Sequence, residues 1–199
     1  MGIRTTFSPM SDKKCFYTLN QSLLETDTPR ASGTIEIKCS HWFWLQICGA
    51  GASSCQQKHQ NAASGGSGAG FMGRIFLKKG LYNWYNGCYG APNADQNGEA
   101  SYFYSADGSY GLICGGGTRN GNSYGVPPPG GTLTVLGDVQ VKDVLFMGNG
   151  NPGGAAIYGG WQAYQSPSVF AAITGEIYGQ GGQGGNANAK QGVIKLFYK

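Results

Sequence analysis

Glycine constrains this chain more than any other feature: it fills 36 of 199 positions, about two and a half times the usual share. The glycines come in blocks: Gly49-Ala50-Gly51-Ala52, Gly65-Gly66-Ser67-Gly68-Ala69-Gly70, Gly115-Gly116-Gly117 and the run from Gly179 to Gly185. Between the blocks lie runs rich in Tyr, Trp and Phe. A phosphate loop or a tight turn needs one or two glycines, so glycine spread over most of a chain is building material. Charged residues make up only 12%, against roughly a quarter in an ordinary domain. The pattern predicts a rigid, weakly charged scaffold that displays aromatic and amide side chains.

The segments between the blocks read as strands. Ile35, Ile37 and Cys39 alternate with Thr34, Glu36 and Lys38, the period-2 pattern of a half-buried strand. Trp42-Phe43-Trp44-Leu45-Gln46-Ile47-Cys48 is aromatic and β-branched and lacks helical spacing. Phe71–Lys78 and Leu81–Tyr85 follow, joined at Lys79-Gly80. Glu99–Tyr104 and Tyr110–Cys114 form a hairpin pattern closed at Ala106-Asp107-Gly108. Leu133–Leu136, Val139–Met147 and Gly192–Tyr198 complete the set, and no segment carries a helical period. The expectation is all-β.

Three readings compete for the glycine blocks. Flexible linkers do not usually run directly out of one buried strand and into another. Phosphate cradles need a Gly-x-x-x-x-Gly-Lys-Ser/Thr pattern opening a helix, and no block has one. The third reading is polyproline-II-type helices packed side by side, with three residues per turn and no internal hydrogen bonds. Without β-carbons, such helices approach closely enough to bond to one another. Bundling then offsets the ordering of each glycine, about 1 kcal/mol or more.

Length suits one domain with a short arm. Residues 1–33 read as that arm, polar except for the patch Cys15–Leu19, and 34–199 as the glycine-rich β domain. No run approaches the ~18 apolar residues of a membrane span. The net charge of +4 is spread thinly, with lysine pairs only at Lys13-Lys14 and Lys78-Lys79, too sparse to track a phosphate backbone. Met1-Gly2 with Thr6, and Asn20-Gln21-Ser22, match acylation and glycosylation patterns that are short and frequent by chance. The first residues lack the apolar core of a secretory signal. The six cysteines are too dilute for a stapled scaffold. They are expected to be reduced and buried, with Cys48 and Cys55 the pair to examine for a bridge.

The order of these motifs resembles the glycine-rich domain family. It runs from strand, aromatic hairpin and Gly-Ala-Gly, through Gly-Gly-Ser-Gly-Ala-Gly, Lys-Lys-Gly-Leu-Tyr, Ala-Ser-Tyr-Phe and Leu-Ile-Cys-Gly-Gly-Gly, to Gly-Gln-Gly-Gly and Gly-Val-Ile-Lys-Leu-Phe-Tyr. The family includes bacteriophage tail-fibre tip adhesins, and a similar domain lies in the extracellular region of anaplastic lymphoma kinase. The resemblance covers residues 34–199 and implies a jelly-roll-like β-sandwich with short packed polyglycine helices. In the phage members it implies receptor binding through exposed loops. It carries no shared catalytic residues. Residues 130–175 have more ordinary strand character than the phage tips, which shortens the expected bundle.

Chemistry offers little to set against this. His41 and His59 are the only histidines, and Cys48-x6-Cys55-x3-His59 lacks the tight Cys-x2–4-Cys knuckle of structural zinc. Ten acids show no local glycosidase pair, and no cofactor is expected. The candidate binding residues are loop aromatics and an amide: Tyr158, Trp161, Gln162 and Tyr164, with Tyr124 and the loop Gln56–Asn61 second. Flat rings stack on sugar faces or fill partner pockets, although Trp161 could equally serve the core.

The expectation is a non-enzymatic phage tail-fibre or tail-tip adhesin on the virion, binding a host surface glycan or outer-membrane protein. Residues 1–33 would hold other virion proteins in a homo-oligomer, without nucleic acid or membrane insertion. The alternative is a virion decoration or bacterial surface assembly protein whose aromatic loops make subunit contacts.

Overall fold

The computed structural model describes residues 17–56, 62–90, 96–119, 127–153, 166–182 and 189–199. Among the described residues twelve strands and one short helix follow one another. They are β1 (Gln21–Thr26), β2 (Ser32–Ile37), β3 (His41–Cys48), β4 (Cys55–Gln56), β5 (Ala62–Ala63), β6 (Gly70–Leu77) and β7 (Gly80–Tyr85). Then come β8 (Ser101–Ser105), β9 (Gly111–Cys114), β10 (Leu133–Leu136), β11 (Val141–Gly148), α1 (Ala171–Thr174) and β12 (Val193–Tyr198).

Two antiparallel five-stranded sheets form a sandwich, ordered β1-β12-β3-β6-β11 and β10-β9-β8-β7-β2, and β4 with β5 makes a small ribbon. The insertion of β12 between β1 and β3 is the jelly-roll device. In the second sheet β7 to β10 run as a meander, so the jelly-roll likeness rests on the first. Among the described residues no helix is long and apolar enough to cross a membrane.

Alternation builds the core. Phe43, Leu45 and Ile47 of β3, Phe71, Ile75 and Leu77 of β6, and Ile194 and Leu196 of β12 all point inward and are fully buried. Ile37, Tyr82, Phe103, Leu112 and Cys114 meet them from the opposite sheet. Tyr82 and Phe103 stack with centroids 5.2 Å apart. Each such side chain contributes about 1.5–3 kcal/mol by leaving water.

The domain begins earlier than the sequence suggested. β1 pairs with β12 from Gln21↔Tyr198 to Thr26↔Ile194, and Tyr17, Leu23 and Leu24 pack against the core. Residues 17–33 therefore belong to the sandwich rather than to an arm. The β1 sequence concealed this because an edge strand is mostly exposed and needs few apolar positions.

The second difference is α1, one turn ending in Gly175 at φ +73°. Its segment lies across the outer side of the first sheet. There Val169, Phe170 and Tyr178 bury Cys48, Met72 and Val193 in a second, smaller cluster. This roof explains why the run Trp42–Cys48 lacks clean alternation: near its end both faces are covered.

The cysteine expectation changes as well. Cys39 is disulfide-bonded, whereas Cys48, Cys88 and Cys114 are free. Cys48 thus makes no bridge to Cys55.

Candidate functional site

Among the described residues every glycine block extends from the same end of the sandwich. The chain leaves it after β3, β7, β9 and β11 and returns into β6, β8, β10 and β12. The hydrogen bonds of these segments repeat every three residues. Gly49 and Ala52 donate to Ala69 and Gly66, at 2.9 and 3.0 Å, while Ala50 and Ser53 donate to Glu99 and Gln96, both at 3.0 Å. Gly51, between them, donates to Lys190 at 2.9 Å. One short segment therefore bonds to three neighbours, one on each edge of a threefold helix, as the polyproline-II geometry requires.

Residues 64–69 repeat the pattern at the bundle's centre. Gly65 and Gly68 donate to Gly182 and Gly179, at 3.0 and 2.8 Å, and Gly66 and Ala69 to Thr118 and Gly115, at 3.0 and 2.9 Å. Ser67 donates to Asn151 at 2.9 Å. Glycine is needed because the backbones touch. A β-carbon on Gly68 would lie 1.9 Å from the Gly49 carbonyl oxygen, and one on Gly131 would lie 1.9 Å from that of Gly115. Buried backbone groups that would otherwise go unsatisfied thus find partners without a sheet.

Side chains fasten the bundle to the sandwich. Glu99 accepts from Arg30 at 2.9 Å, from the Cys88 N–H at 3.1 Å and from the Tyr85 hydroxyl. Burial pushes the Glu99 carboxyl up, but these donors outweigh it and hold it below the usual carboxylate range. Burial, aided by this carboxylate, pushes Tyr85 up to about 12. Asn86 ties the β1–β2 connection in, donating to the Thr28 carbonyl at 3.0 Å.

At the far end of the bundle the described chain breaks off at Gln56, Gly90, Arg119, Gly153 and Gly182. It resumes at Ala62, Gln96, Pro127, Ser166 and Ala189. Ser53 meets Gln96, Gly65 meets Gly182, Thr118 meets Pro129, and Gly153 meets Pro128. Tyr124, Tyr158, Trp161, Gln162 and Tyr164 lie outside the described residues, as do residues 57–61. In sequence they fall in three of these five intervals.

Among the described residues the free thiols are not activated. Burial pushes the Cys48 thiol up to about 12 and raises that of Cys114 as well. Among the described residues no three His, Cys, Asp or Glu side chains converge to hold a metal ion.

Sequence reading missed a second surface, the part of the first sheet's outer face beyond the α1 roof. Trp42 pairs with Phe76 and Trp44 with Arg74 across β3–β6, and Phe197 pairs with Trp44 across β12–β3. Lys142 lies over Trp42, its Nζ 4.3 Å from the ring centre. The available signal was alternation: Phe43 and Leu45 inward leave Trp42 and Trp44 outward.

No family model matches the chain, and no curated protein matches its sequence.

Proposed function

We propose that this chain is a non-enzymatic bacteriophage tail-fibre or tail-tip adhesin, with the far end of its glycine bundle as the receptor-contacting tip. The observation that carries the reading is the hydrogen-bonded, tightly packed glycine support that the chain enters after β3, β7, β9 and β11, all at one end of the sandwich. A rigid support suits recognition, because its ordering is complete before binding and adds little to its cost. The disulfide at Cys39 fits a protein that works outside the reducing cytosol. Within this reading Tyr124, Tyr158, Trp161, Gln162 and Tyr164 contact a host surface glycan or outer-membrane protein. Attachment to the virion falls to the residues ahead of Tyr17, in a homo-oligomeric assembly.

The test is binding of the purified chain to intact bacterial cells, with Trp161→Ala alongside. Saturable binding that the folded variant loses supports the adhesin. Self-assembly without binding to any host panel favours the assembly protein, to which the apolar edge strand β11, with exposed Val144, Leu145 and Met147, also lends itself.

A further inference from the structure

The part of the first sheet's outer face beyond the α1 roof combines two chemistries, and of its rings Trp44 also packs against the roofed cluster. Trp42, Trp44, Phe76 and Phe197 are half-buried there, so each ring is seated on the sheet yet reachable. Trp42 and Phe76 meet edge to face at 5.5 Å. Along β3 the two tryptophans stand roughly 6.6–6.8 Å apart, and neighbouring strands bring Phe197 and Phe76 within about 5 Å of the same rows. The result is an aromatic pavement, its rings tilted to one another, on a rigid support.

Cations lie on this pavement. The Lys142 amine sits over Trp42 at 4.3 Å, and the Lys199 amine over Trp44 at 5.3 Å and Phe197 at 5.4 Å. Arg74 lies between them, 3.4 Å from Asp143 on β11. Lys195, one row nearer the roof, is taken up by Glu176 at 2.8 Å. Among the described residues neither Lys142 nor Lys199 has a carboxylate partner. Three positive groups thus face one acid.

We propose that this face binds an acidic polysaccharide. The indole and phenyl rings stack on the C–H faces of successive sugars, and Lys142, Lys199 and Arg74 pair with the carboxylates. The occupant follows from charge complementarity and shape. A neutral glycan would leave the two lysines without partners, and a membrane would call for rings that project further than these half-buried ones. Lysines resting on rings swing aside at small cost, since an exposed cation–π contact is weak. The site is remote from the bundle tip and stands whether or not the tip binds a receptor.

The experiment is calorimetric titration of the full chain with polygalacturonate, a soluble polyuronate. Neutral dextran and phosphatidylglycerol vesicles are run in parallel, each at low and at physiological salt. The expected result is saturable polygalacturonate binding that salt weakens, with dextran inert. The double variant Lys142→Gln/Lys199→Gln, which alters only exposed ends and should melt like the parent, loses about tenfold or more in affinity. Trp42→Ala loses affinity too, while Trp161→Ala keeps it, which separates this site from the tip. Absence of polygalacturonate binding, equal binding of dextran, parent-like affinity in the double variant, or binding of vesicles alone would each overturn the proposal.

Discussion

Substituting Gly117 by alanine tests the bundle at one of its tightest points. An added β-carbon would sit 1.9 Å from the Gly66 carbonyl oxygen and 2.4 Å from its carbon, where ordinary contact begins at 3.4 Å. The neighbouring segments would have to part by about 1.5 Å, the difference between those two oxygen distances. Both partners are backbone, so no side chain can rotate away. The Gly117 N–H donates to Ala50 at 2.8 Å and its carbonyl accepts from Gly98 at 2.9 Å, while Gly66 donates to Thr118 at 3.0 Å. Parting the segments by that amount breaks two or three of these bonds. Each loss costs about 1 kcal/mol, and about 1–3 kcal/mol where a buried group is left unsatisfied. The expected destabilisation is about 3–5 kcal/mol, or roughly 6–20 °C in melting temperature for a chain of this size. Gly108→Ala is the control. Gly108 has φ +74° and nothing within 4 Å of an added β-carbon, so only the left-handed backbone penalty of about 1–2 kcal/mol applies. Thermal and urea unfolding of both variants decide the matter. If Gly117→Ala unfolds no more easily than Gly108→Ala, the bundle is not held by backbone contact and the reasoning fails.

Two further predictions concern the Glu176 carboxyl and the free thiols. Burial pushes the Glu176 carboxyl up, but hydrogen bonds from Lys195 and Gln46 outweigh it and leave the group below its usual range. A carboxyl depressed in the folded state stabilises the fold above the ordinary carboxylate pKa of about 4.3 and loses that contribution as pH falls through its folded value. The melting-temperature gap between the parent and Glu176→Gln should therefore be widest near neutrality and close on acidification; parallel curves would refute the assignment. Among the free thiols, half-buried Cys88 should be alkylated in the native protein well before buried Cys48 and Cys114, as peptide mapping after iodoacetamide treatment would show. Early modification of Cys48 would contradict its burial.

Much of this fold is legible in local sequence because strands and glycine helices have short periods. Alternation at Ile35–Ile37 and around Phe43–Leu45 marks inward faces, and Asp107-Gly108 marks a turn. The glycine runs announce backbone packing, since no other residue permits carbonyl contacts as close as those at Gly68 and Gly117. What no period reveals is which segments become neighbours. β1 reads as polar because its membership in the sheet depends on β12, whose Leu196 pairs with Leu24 across more than 170 residues. The roof from Val169 to Tyr178 is invisible for the same reason, since its few apolar residues matter only once Cys48, Met72 and Val193 lie beneath them. The aromatic–cationic face is built from β3, β6, β11 and β12, so Trp42 and Lys142 become partners only through sheet order. By itself the sequence determined an all-β chain with glycine helices, because both depend on spacing along the backbone. Strand order, the roof, the early start of the domain and the outer pavement were decided by tertiary pairing, where contacts far apart in sequence win on total burial rather than on local propensity.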